Sequence, residues 1–109
     1  MQEIAEIIQE LHRFRDERDW AQFHNPKDLA IALSVESSEL LELFLWKHHD
    51  QADKSRIEEE LADVLAFAFQ LAAKYDLDIK EIILKKIRAN ELKYPVEKSR
   101  GNASKYTEL

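Results

Sequence analysis

Apolar residues recur along this chain in steps of three and four and nowhere in strict alternation, so the pattern is helical throughout. Ile4, Ile7, Ile8, Leu11 and Phe14 mark a first helix over residues 2–18, with Glu3, Glu6, Glu10 and Arg13 outside it. A short aromatic stretch, Trp20 to Asn25, follows. Asn25-Pro26-Lys27-Asp28 then supplies an N-cap, a first-turn proline and an early acid, predicting a second helix that runs to about His48 or His49. Ser55-Arg56-Ile57-Glu58 reads as a capping box that opens a third helix, continuing to about Tyr75. Asp78-Ile79-Lys80-Glu81 opens a fourth, which carries Ile79, Ile82, Ile83, Ile87 and Leu92. It stops at Tyr94, because Pro95 pushes the residue before it out of the helical region. The expectation is an all-α, four-helix bundle-like protomer over residues 1–95 and a C-terminal tail over 96–109.

The third helix is apolar around most of its circumference from Val64 to Ala73, through Leu65, Phe67, Phe69 and Leu71. Such a helix needs partners on several sides, more than a four-helix chain of 109 residues offers, so a homo-oligomer is expected. Composition narrows the function classes. With 45% hydrophobic and 35% charged residues the chain is too apolar for disorder and too interrupted by charge for a membrane span. It has no cysteine, which removes disulfides, thiolate metal sites and cysteine nucleophiles. A formal net charge of -6 argues against a nucleic-acid polymer as partner, since duplex binding rests on a basic face. The N-terminal stretch is acidic and amphipathic rather than a basic-then-apolar leader, which predicts a cytoplasmic protein.

Four acids interrupt the apolar faces. In the second helix Leu29, Ala32, Leu33, Leu40, Leu43 and Trp46 define one stripe; Glu36 lies on it and Glu39 beside it. In the third, Glu60 falls on the arc of Ile57, Val64, Phe67 and Leu71, with Asp63 three residues on. A carboxylate withdrawn from water costs on the order of several kcal/mol unless paired, and four facing each other repel. Something positive must sit between them. Carboxylates without His or Cys suit hard cations, so Mg2+ is expected, with Mn2+ as the alternative. A di-iron bundle needs Glu-x-x-His on two helices, and the corresponding steps here end in Glu39 and Asp63. One Glu-x-x-Glu pair is ordinary on a solvated helix; two on consecutive apolar faces are not.

The pattern Glu36-x-x-Glu39, then Glu60-x-x-Asp63, then Lys86-x-x-x-Asn90-x-x-x-Tyr94 resembles the MazG-like all-α nucleoside triphosphate pyrophosphohydrolases. Arg18-Asp19-Trp20-Ala21-Gln22-Phe23-His24-Asn25-Pro26, Glu42-Leu43-Phe44-Leu45-Trp46-Lys47, Glu59-Glu60-Leu61-Ala62-Asp63-Val64-Leu65 and the ending Ser104-Lys105-Tyr106-Thr107-Glu108-Leu109 are similar to the branch acting on dCTP. The resemblance implies that Glu36, Glu39, Glu60 and Asp63 bind Mg2+, which holds the triphosphate while water cleaves between the α and β phosphates. It also implies a dimer of dimers and a housecleaning role in the nucleotide pool. Among the four acids Glu39 is the candidate to accept the proton of the attacking water, since Glu36 lies deeper in the stripe. Lys86 and Asn90, four apart on one face, are candidates for phosphate or sugar, with Tyr94 completing the motif. Trp20 and Trp46 are candidates to stack the base and His24 to bond its edge. Where that branch carries Tyr four residues beyond the Asp, this chain has Phe67, so one polar contact to the base is missing. The reading from a different class is a non-catalytic helical oligomerisation module whose acids hold a structural cation.

Overall fold

The structure, a computed structural model, describes residues 2–105 and Thr107. The last part of the ending motif, Tyr106, Glu108 and Leu109, lies outside the described residues. Five helices follow in order: α1 (Gln2–Glu17), α2 (Pro26–Glu42), α3 (Lys54–Lys74), α4 (Ile79–Lys93) and α5 (Val96–Ser99). No strand occurs among the described residues, so the fold is all-α. No helix among them is long and apolar enough to cross a membrane. The chain resolves into two compact units, Met1–Leu77 and Asp78–Leu109.

In the first unit α2 lies along α3, and α1 packs on α3 over a narrower contact. The predicted inner face of α2 is the observed one: Leu29 is 1% exposed and Leu43 is buried, with Ala32, Leu33 and Leu40 partly covered between them. Along α3 the half-covered residues Ile57, Val64, Phe67 and Leu71 lie on the arc that the spacing predicts. In the second unit α4 buries Ile79 at its first position and exposes Ile82, Ile83 and Ile87.

Helix starts follow local chemistry. Asn25 Oδ1 accepts from the Asp28 amide at 2.9 Å, and the Asn25 side-chain amide donates to the Asp28 carboxylate at 2.7 Å, with Pro26 at the first helical position. Asp78 Oδ1 accepts from the Glu81 amide at 2.9 Å and starts α4. The cap of α3 is Asp53, two residues ahead of the predicted Ser55, because its carboxylate accepts from both the amide and the hydroxyl of Ser55, at 3.0 and 2.9 Å.

Helix ends depart further from expectation. The second helix stops at Glu42, well short of His48. Leu43, Phe44 and Leu45 tighten to bonds with the carbonyls three residues back, at 3.2, 2.9 and 3.3 Å. Trp46 then takes a left-handed conformation at φ 63°. Beyond it His48, Asp50 and Gln51 satisfy one another in a separate 3-10 turn, His48 Nδ1 to Asp50 at 2.7 Å and the His48 amide to Gln51 at 3.2 Å, so the backbone has no need of a longer helix. Trp46 consequently leaves the apolar stripe and is fully exposed. The ends of α1 and α3 are closed by Asp19 (φ 54°) and Asp76 (φ 52°), with the next amides reaching five residues back, Trp20 to the Arg15 carbonyl and Leu77 to the Ala72 carbonyl, both at 3.0 Å. This is the closure usually made by glycine, adopted by the residue type that tolerates it next best. The segment expected to be a tail contains α5.

Replacing Asn25 by alanine removes a side-chain acceptor that nothing else supplies. Asn25→Ala is expected to lower unfolding stability by about 1 kcal/mol and Asn25→Gly by a few tenths of that, read from urea midpoints at unchanged slope.

Candidate active site

Two acids of α2 meet two of α3 because Glu36, Glu39 and Glu60 lie on half-covered positions of two helices packed along each other, with Asp63 one turn on from Glu60 at the open edge. Glu36, Glu60 and Asp63 each offer a carboxylate oxygen, and these oxygens lie within 4.8 Å of one another. Glu36 and Glu60 are half-buried while Asp63 is exposed, so the cluster is walled on one side and open on the other. Oε2 of Glu36 and Oε2 of Glu60 are closed off from solvent without a hydrogen-bond partner. The fourth predicted acid, Glu39, stands outside that convergent trio but is near enough for its charge to act on the carboxyls of Glu36 and Glu60.

The electrostatics carry the mark of this crowding. Burial first, then the adjacent Glu39 carboxylate, to which only a protonated Glu36 can donate and whose charge repels an ionised one, then repulsion from Asp63 and Glu60, push the Glu36 carboxyl up to about 7. Glu60 is raised by burial first and by Glu39 and Asp63 after it, with the guanidinium of Arg56 a minor opposing influence. The neighbouring acids make ionisation of Glu36 and Glu60 harder, and the nearby Arg56 does not reverse this for Glu60. A small divalent cation seated among the oxygens would do so, and hard carboxylate donors are the ligands such a cation takes.

Beside the cluster runs a cleft of about 720 Å³ between α1 and α3. Its α3 wall is Asp63, Ala66, Phe67 and Gln70, one helical stripe at steps of three and four; its α1 wall includes Ile7, Leu11 and Phe14. The turn after α1 closes one end with Trp20 and His24. Trp20 is held edge-on to Phe14 at 5.7 Å between ring centres, and the guanidinium of Arg18 covers that Phe14 ring at 3.7 Å. His24 meets Phe67 edge-on at 6.5 Å, and its Nδ1 is buried without a partner. Asp63 belongs both to the acidic cluster and to the cleft. An ion at the acids and a flat ring in the cleft would therefore be neighbours.

The structure thus brings together Trp20, His24 and Asp63 around one cavity, with Glu36, Glu39 and Glu60 adjoining it. Trp46 does not line the cleft. Lys86 and Asn90 lie on α4 in the second unit, and Tyr94 is the C-cap of that helix. Gln70 was missed by the sequence reading. It is the only polar residue in the apolar run from Val64 to Ala73, and it falls seven residues after Asp63 on the same face, which is the signal that identifies it.

The MazG-like family model matches residues 31–109. The dCTP pyrophosphatase 1 of Mus musculus is 42% identical over an alignment covering 95% of this chain and 66% of that protein. The dCTP pyrophosphatase 1 of Homo sapiens is 40% identical, with the same coverage of each. The chain spans about two thirds of the length of these curated relatives. Among solved structures, a pyrophosphatase from Archaeoglobus fulgidus superposes with a TM-score of 0.80 at 37% identity, covering 85% of this chain and 93% of its own.

The raised carboxyls fix how stability depends on pH. A folded state that holds the Glu36 proton more tightly than the unfolded chain is favoured below the usual carboxylate range and loses that advantage as pH climbs through about 7. The metal-free protein is expected to melt at a lower temperature at pH 8 than at pH 5.5. A divalent cation that takes these carboxylates should raise the melting temperature, and more at pH 8 than at pH 5.5, because it competes with the protons it displaces. Calorimetry with and without chelator at the two pH values checks both signs.

Proposed function

The chain belongs to the MazG-like family, and on that premise we propose that it is a divalent-metal-dependent pyrophosphohydrolase that cleaves dCTP or a related nucleoside triphosphate between the α and β phosphates, giving a nucleoside monophosphate and pyrophosphate. The observation that carries this reading is the convergence of the Glu36, Glu60 and Asp63 oxygens at the mouth of an aromatic-lined cleft, with two of the carboxylates holding a buried, unpartnered oxygen. The identity to dCTP pyrophosphatases supports the choice of substrate.

Glu36, Glu39, Glu60 and Asp63 are the residues assigned to hold Mg2+. When bound, the cation neutralises triphosphate charge against an otherwise repelling acidic site and polarises the phosphorus under attack. Glu39 is assigned to take the proton of the attacking water, because it adjoins the trio without converging on it. Trp20 and His24, with Phe67 behind them, are assigned to the base: Trp20 offers a flat face already fixed by Phe14, and His24 brings an unpartnered ring nitrogen. Lys86 and Asn90 are four residues apart on α4 and so share one face, where an ammonium and an amide suit phosphate and sugar oxygens; Tyr94 follows at the same step.

Self-association is part of the proposal. Ile31, Val35, Leu41 and Leu45 along and beyond α2, and Leu61 and Leu65 on α3, are exposed large apolar residues on the first unit. Exposed large apolar residues in this number suit an association surface, and a second copy of the same chain is the simplest partner. Trp46 is assigned to the base only in such an assembly, since on its own chain it stands outside the cleft.

Pyrophosphate release from a panel of nucleoside triphosphates, with Mg2+ and with chelator, tests the central claim; no release from any of them would leave the acids as a structural cation site. Glu36→Gln, Glu39→Gln, Glu60→Gln and Asp63→Asn are each expected to cut Mg2+-dependent turnover by about a hundredfold or more while keeping the helical fold. Near-normal turnover in any two of them contradicts the assignment. Sedimentation at micromolar concentration is expected to give a dimer or tetramer, and a monodisperse monomer would contradict the association claim.

A further inference from the structure

Gln70 is the one buried residue in the lining of the cleft, 8% exposed, and its side-chain carbonyl has no hydrogen-bond partner. Its amide nitrogen, by contrast, is engaged, donating to the Ala66 carbonyl one turn back at 3.2 Å. That bond fixes which way round the amide sits. Turning it over would set two carbonyl oxygens against each other, so Gln70 is held as an acceptor. His24, whose Nδ1 is also buried without a partner in the cleft, has no such restriction, because imidazole presents either a donor or an acceptor according to tautomer. A buried acceptor left unpaired is unfavourable in the free protein, and a ligand donor that pairs it recovers the loss.

The position suits a base. Gln70 follows Asp63 by seven residues on the same stripe, about 10 Å along the helix axis, which is comparable to the reach from a nucleotide's phosphates to the outer edge of its base. Phe67 lies between them on the wall, so the stretch from acid to amide runs charged, aromatic, acceptor. A triphosphate at Asp63 with its ring against Phe67 would bring the outer edge of the ring to Gln70.

We propose that Gln70 is a specificity-determining residue: its side-chain carbonyl accepts a hydrogen bond from the exocyclic amine of a pyrimidine in the cleft, so that the site favours an amino pyrimidine over a keto one. This rests on the reading of the chain as a nucleoside triphosphate pyrophosphohydrolase. Uracil and thymine present a carbonyl oxygen where cytosine presents its amine, and an acceptor facing an acceptor rejects them.

The test compares kcat/KM for dCTP, dUTP and the triphosphate of 2-pyrimidinone deoxyriboside, which carries hydrogen in place of the 4-amino group. On the wild-type protein with Mg2+, dCTP is expected to exceed the 2-pyrimidinone analogue by at least tenfold, and dUTP by more. Gln70→Met, close in volume and without an acceptor, is expected to lower the dCTP value alone and erase that tenfold difference. Its melting temperature should not fall, since an unpaired polar group has been removed. Equal use of dCTP and the analogue by the wild type overturns the proposal, as does a difference that survives in Gln70→Met. Gln70→Leu gives the same reading should methionine disturb the packing; loss of helical circular dichroism in both variants makes the amide a structural group and also overturns it. A wild type that releases pyrophosphate from none of the three compounds withdraws the functional reading itself and this inference with it.

Discussion

Repulsion among carboxylates packed between α2 and α3 is the constraint around which this molecule is arranged. The two helices present their buried faces to each other, and those faces carry acids where hydrophobic residues would pack without conflict. The conflict is visible in the free protein as a Glu36 carboxyl raised to about 7 and as carboxylate oxygens shut away from any partner. A fold that tolerates this is one whose acids have a purpose other than stability, and substituting matched apolar residues at such places commonly stabilises a protein.

The rest of the first unit serves that cluster. Leu29 in the first turn of α2 and Leu43 at its C-cap are buried on either side of Glu36 and Glu39 in the sequence, and they fix the helix that presents the two acids. The stripe on α3 that begins at Asp63 continues as the wall of the cleft, so the residues that would meet a metal and those that would meet a base are set by one helical register. A rotation of α3 would spoil both at once.

What was legible from the chain was what periodicity encodes. The faces of α2 and α3 and the convergence of Glu36, Glu60 and Asp63 follow from three- and four-residue steps, and the caps at Asn25 and Asp78 follow from side-chain chemistry. Helix ends were less legible. No glycine or proline stands between Glu42 and Asp53, and the chain turns there through local bonds of His48, Asp50 and Gln51, which no periodic pattern announces. Trp46 was misplaced on the stripe for that reason. Gln70 escaped for another: glutamine is neutral and a good helix former, so in an apolar run it attracts less notice than a charge would, although its seven-residue step from Asp63 was there to be read. The spacing of Lys86, Asn90 and Tyr94 defines a face on α4, but spacing alone does not say what that face meets.

The two tryptophans differ in how far they are covered, and that difference has an optical consequence. Trp20 is partly covered and edge-on to Phe14, whereas the Trp46 indole is wholly in water. An indole in water emits at longer wavelength than one in an apolar setting and meets dissolved quenchers freely. Intrinsic fluorescence should therefore combine a fully accessible indole with one partly shielded by Phe14. The red, quenchable part reports on whether the surface around Trp46 has been covered, and the bluer part reports on the filling of the cleft beside Trp20. Chain association and ligand entry could thus be followed separately in one unlabelled sample.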